Sequence, residues 1–235
     1  MNLEPHVDRL FEILISGDRP SARRFMTELT GAGATPERLV SEVFWPVYEL
    51  IERLYREDQM TAIAHNMSTR LLRVLVDQAA AQFTVSGEKR RTVFAVCGPT
   101  DPDELGAQMA VDLLEREGFS VSFAGGGIAA DEILAQVQQT RPDVLLLFAS
   151  APCDLPGIRG MIDQINEIGA VRRLQVVVGG GVFNRAEGLA EEIGSDAWAS
   201  TPAELVRVML EKPEQRAVAG QQSVGKKKVK TRAAA

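Results

Sequence analysis

This chain has little of what metal and redox chemistry usually draws on. Its 235 residues include two cysteines and two histidines. Cys97 and Cys153 lack metal-ligand spacing and fall at or just past the ends of expected strands, so they read as buried thiols in a reducing compartment. His6 and His65 are the only imidazoles, and none follows residue 65. No Ser, His and Asp set lies close together in the sequence, and the chain reads as a non-enzyme. No apolar run approaches the roughly 20 residues that span a bilayer. The opening "MNLEPHVDRL" carries acids where a secretory signal needs an apolar core. The expectation is a cytoplasmic protein with no membrane attachment.

Positive charge is also scarce outside one segment. The net charge is −6, yet from Pro213 onward six basic residues face a single acid, which leaves −11 on the rest. An acidic body argues against general binding to a phosphate backbone, so nucleic acid is expected to touch at most the basic tail. That tail, "GQQSVGKKKVKTRAAA", has no apolar period, and 212–235 reads as disordered.

Two different periodicities divide what remains. Residues 1–88 carry helical patterns only. "HVDRLFEILISG" stops at Gly17, the next segment starts on Asp18 as a cap, and Thr35-Pro36 opens a third in which Pro46 should cause a kink. A long fourth helix covers "DQMTAIAHNMSTRLLRVLVDQAAAQF", and four helices with short joints imply an antiparallel bundle.

Over 89–211 the apolar runs "TVFAVC", "SVSFAG", "DVLLLFAS", "LQVVVGGG" and "AWAS" alternate with helical stretches starting near Asp103, Ala129, Leu155, Arg185 and Thr201. That alternation implies α/β architecture: a five-stranded parallel, flavodoxin-like (Rossmann-like) sheet covered on both faces. Ligands of such sheets sit outside the carboxyl ends of the strands. The loops Gly98–Gly106, Gly125–Gly127, Ser150–Pro156 and Gly179–Asn184 all belong to that edge. "GGGIAAD" follows the second strand and lacks the G-x-G-x-x-G spacing, so it is no dinucleotide fingerprint. Three acids at the start of the first sheet-domain helix would repel a phosphate, and Asp101 or Asp103 is expected to cap that helix.

The order bundle, then α/β domain, resembles the cobalamin-binding module of methionine synthase, methyltransferase corrinoid proteins and light-sensing regulators over about residues 1–211. The resemblance implies a cobalamin or related tetrapyrrole as ligand, a pocket between the two domains, and a D-x-H-x-x-G motif whose His ligates cobalt from below. Here the motif reads Asp101-Pro102-Asp103-Glu104-Leu105-Gly106. The aspartate and the glycine match, but a carboxylate, a poor ligand for corrinoid cobalt, stands at the His. The family's serine after the third strand falls on Phe148 or Ser150, with Phe148 favoured, and a phenyl ring there would fill part of the nucleotide-tail channel. Gly179, Gly180 and Gly181 match the family's glycines after the fourth strand. In light-sensing relatives a Trp and a later Glu-His pair cap the upper face; their positions hold Leu54, Ala64 and His65. His65 is therefore the remaining candidate ligand to a metal, or else a buried histidine satisfied by a neighbour. Trp45 reads as bundle core.

Two classes of function follow. One is a sensory or regulatory protein that clamps a corrinoid or other tetrapyrrole and signals to a regulatory protein partner, with homo-oligomers open. The other is a cofactor-free interaction scaffold that kept the fold. No DNA-binding domain precedes the bundle in this sequence, so direct transcriptional control is not expected.

Overall fold

The computed structural model describes residues 2–88, 90–168 and 173–217. Four helical rods form the first half: α1 (Pro5–Ser16), α2 (Arg19–Gly31), a third built from α3 (Pro36–Leu39), a π turn (Val40–Phe44) and α4 (Trp45–Arg56), and α5 (Ala62–Ala80). Their starts follow local chemistry. Asp18 accepts from the Ser21 N–H at 3.0 Å, and the Thr35 and Thr61 hydroxyls accept from Arg38 and Ala64. Where a kink is expected at Pro46, the helix passes through the π turn. Trp45 donates its N–H to the Val40 carbonyl, five residues back, and Pro46 then falls in the first turn of α4, where its missing N–H costs nothing.

The second half runs β1 (Thr92–Val96), α6 (Asp101–Arg116), β2 (Ser120–Phe123), α7 (Ala130–Thr140), β3 (Val144–Phe148), a 3₁₀ turn (Pro152–Asp154), α8 (Leu155–Ile168), β4 (Gln175–Gly179), α9 (Gly181–Arg185), α10 (Leu189–Glu192), β5 (Ala197–Ala199) and α11 (Pro202–Glu211). All strand pairs are parallel. The order β2-β1-β3-β4-β5 is the flavodoxin-like arrangement, with its switch point between β1 and β3. The helix expected to start near Arg185 is instead two short turns; Arg185 ends the first, and Gly188 in the left-handed region precedes the second.

Helix α6 joins the halves. Leu105, Met109 and Leu113 belong to the bundle core, while Ala110, Val111 and Leu114 pack on the sheet beside α11. Helices α7 and α8 cover the opposite face. One helix therefore serves two cores, and the end of it that carries the degenerate motif is held against both domains.

Residues beyond the last helix depart from the expected tail. The Gln175 amide donates to the carbonyls of Lys212 and Gln215, and the Ala217 N–H donates to Asp196. Lys212–Ala217 thus lie along the amino edge of the sheet; 218–235 fall outside the described residues. Cys97 is half-buried, as a thiol at a strand end should be, but Cys153 is exposed, because it sits in the 3₁₀ turn rather than under a helix.

Candidate ligand site between bundle and sheet

A cleft of about 280 Å³ lies between α4 and the carboxyl ends of the strands, just below the roughly 300–1,000 Å³ typical of ligand pockets. On the sheet side its walls include Asp103, Gly106, Phe148, Ser150, Gly179, Gly180 and Gly181. The loops of the rim are tied together. The Cys97 N–H donates to the Gly125 carbonyl, and Gly180, at φ +103°, lies so close to the β3 loop that a Cβ would come within 2.3 Å of the Ala149 oxygen.

Asp103 has a structural task. Thr100, not an aspartate, caps α6. Its hydroxyl accepts from the Asp103 N–H, and Asp103 Oδ2 in return accepts from the Thr100 N–H and hydroxyl at 3.2 and 2.5 Å. Asp101 is the first residue of the helix, and its side chain lies outside what is described. The carboxylate standing at the motif's histidine position is thus turned into the helix's own first turn. Burial, and then the charges of Glu104 and Asp103, push the neighbouring Cys97 thiol up to about 12, so it is no nucleophile near neutrality.

The bundle side was largely missed in the sequence. Trp45, Tyr48, Glu49, Glu52, Arg53 and Arg56 line the cleft; they fall at i, i+3, i+4, i+7, i+8 and i+11, one continuous helix face. That spacing was the signal available. Tyr48 Oη donates to the Pro102 carbonyl at 3.1 Å. It gets that close because position 106 is glycine, where a Cβ would sit 2.8 Å from the Tyr48 oxygen. Trp45 is 9% exposed and packs on Tyr48 with ring centres 5.3 Å apart. Its buried indole N–H makes no hydrogen bond of ordinary length, although the Glu49 carboxylate is near enough to feel it.

His65 and Leu54 are not brought to the cleft. His65 is buried; Nε2 lies 2.7 Å from Glu52 Oε1, and its ring stacks on Tyr55 at 3.9 Å. The imidazole is satisfied inside the bundle rather than offered to a metal. Leu54 lies on α4, off the cleft-facing stripe. Among the described residues no group of three or more His, Cys, Asp or Glu side chains could hold a metal ion, and no helix is long and apolar enough to cross a membrane.

Residues 91–207 match the model of the B12 binding domain. The sheet domain belongs to the B12-binding family. The cofactor of that family is cobalamin or another corrinoid. A dimethylamine corrinoid protein of Methanosarcina acetivorans is 26% identical over 123 residues, 52% of this chain and 57% of that protein. A corrinoid protein of Desulfitobacterium hafniense is 21% identical over 86% of this chain and 94% of its own length. The chain spans about half to three-fifths of the length of the dimethylamine corrinoid proteins it first matches. The solved monomethylamine corrinoid protein of Methanosarcina barkeri superposes with a TM-score of 0.77 at 16% identity, over 89% of this chain and 99% of that one, and speaks to the fold.

The residues present fit part of such a cofactor. The wall built from Gly106, Ala107, Ala110, Gly179 and Ala199 is small and apolar, and the Trp45 N–H, which makes no hydrogen bond of ordinary length, suits a carbonyl or phosphate oxygen of a ligand. The donor set does not fit lower ligation of cobalt: no nitrogen ligand faces the cleft from α6, and Asp103 is engaged with Thr100.

Proposed function

We propose that this chain is a non-catalytic corrinoid holder whose occupancy is read by a regulatory protein partner, with the cofactor between bundle and sheet domain and no protein ligand on the lower face of its cobalt. The observation that carries the reading is the closed pair of Thr100 and Asp103 at the rim of a cleft otherwise built for a ligand. Because α6 contributes to both cores, a ligand that parts α4 from the strand ends would re-orient the bundle, which is a change a partner can sense. The test is an absorption spectrum of protein purified from cells supplied with cobalamin and heme. A corrinoid band is expected to co-purify, to survive His65→Ala, and to change shape and bind more tightly in Asp103→His, where an imidazole returns. A colourless protein whose melting temperature ignores both compounds would end this reading.

That colourless outcome belongs to a second reading, a scaffold without cofactor. It draws on Phe148, whose ring edge lies 3.3 Å from where a Gly179 Cβ would stand, and on the smallness of the cleft.

A further inference from the structure

The mouth of the cleft carries three guanidinium groups. Arg53 and Arg56 line it from the last turn of α4, and Arg185 lines it from the end of α9. Arg185 Nη2 donates to the Ser150 carbonyl at 2.5 Å. Burial, and then the nearby Arg56, hold this guanidinium below the ordinary arginine range. Among the described residues, no carboxylate lies within ion-pair distance of Arg53, Arg56 or Arg185.

The acids that share the cleft have other work. Glu52 holds His65, Asp103 closes the cap of α6, and Glu49, raised by burial against the opposing pull of the Trp45 indole, Arg53 and Arg56, stands on α4 and makes no ion pair with Arg185. Two like charges brought together from separate domains repel, and they are stabilised when an anion lies between them. A second donor lines the same wall: the buried Trp45 N–H, which makes no hydrogen bond of ordinary length and has the Glu49 carboxylate near it. Guanidinium groups match a phosphate through paired, charge-assisted hydrogen bonds.

Resting on the reading above, we propose that Arg56 and Arg185 form a seat for the phosphodiester of a nucleotide-bearing corrinoid. Affinity then comes from an anchor on the nucleotide tail in place of one on the cobalt. The corrin ring itself is rimmed by neutral amides, so the phosphodiester is the anionic group that such a seat would select.

The test compares hydroxocobalamin with cobinamide, which has the same ring without nucleotide or phosphate, by spectroscopic titration of the full chain. The wild type is expected to prefer cobalamin, with the preference shrinking as sodium chloride is raised. Arg56→Met should weaken cobalamin roughly tenfold, as expected for losing one charge-assisted contact, and leave cobinamide unchanged within about twofold. Arg56 is exposed on a helix end, so its loss should leave the melting temperature alone. Arg185→Met should act in the same direction, and Arg185→Lys should recover part of the loss. Equal affinity of the wild type for both corrinoids, or an equal loss for both in Arg56→Met, would overturn the seat while leaving the corrinoid reading intact. A wild type that binds neither would overturn both.

Discussion

The two edges of one sheet are finished in opposite ways. At the amino edge three strong polar groups, Arg91, Asp143 and Asp196, each make two or more hydrogen bonds. Arg91 donates to the Gln175 side chain and to the carbonyls of Met209 and Pro213. Asp143 accepts from both the N–H and the hydroxyl of Thr92, and Asp196 accepts from Val176 and Ala217. At the carboxyl edge the backbone is as tightly tied, but the side chains are not. Among the described residues three arginines are in no ion pair with a carboxylate, an indole N–H makes no hydrogen bond of ordinary length, and glycines and alanines leave a gap. A buried polar group without a partner costs about 1–3 kcal/mol. The contrast supports the proposal that the second edge is kept for a ligand.

The sharpest way to break that contrast is to disturb the rigid backbone under the open edge. Gly180→Ala combines a left-handed backbone with a Cβ 2.3 Å from the Ala149 oxygen, and should cost about 3 kcal/mol in chemical denaturation. A cost near zero would mean the rim is soft and the cleft not preformed. At the closed edge, Gln175→Ala strips partners from Arg91 and from two carbonyls. It should cost about 2 kcal/mol while leaving corrinoid binding unchanged; a loss of binding would show that the edges are coupled.

The smallest effect lies on α6, between the two regions. Asp112 is 6% exposed. Gln108 donates to one of its oxygens, and the other is buried with no partner. Burial, with Glu115 and Asp77 adding their charges, raises this carboxyl to about 6 against the opposing Gln108 hydrogen bond. The folded protein thus holds a proton that the unfolded chain releases, so stability should fall as pH rises from about 4 to about 6. Asp112→Asn should flatten that slope and stabilise the protein near neutral pH by on the order of 1–2 kcal/mol. An unchanged pH profile in the variant would remove Asp112 from the account.

Much of the fold was legible because its cause is local. Strands such as Val144–Phe148 and Gln175–Gly179 read as continuous apolar runs since both faces of the sheet are covered, and Asp18 and Thr35 cap helices as side chains of their kind do. The loss of the motif's histidine was legible too. What escaped the sequence depends on partners far along the chain or on competing caps. Thr100 and the aspartates are all good capping residues, and only the geometry of the turn decides between them. His65 finds Glu52 thirteen positions back, across a helical joint. Arg185 becomes part of the rim only because α9 ends where it does.

The π turn at Val40–Phe44 has a consequence for how this face evolved. Accommodating one extra residue in a helix advances everything after it by about 100° around the axis. The stripe that runs from Trp45 to Arg56 looks across at the strand ends because of that added step. Removing a single residue from the turn would swing the whole array toward a different neighbour without altering one of its members. In a lineage where this region tolerates such indels, the aim of the helix, rather than its composition, is what selection could adjust.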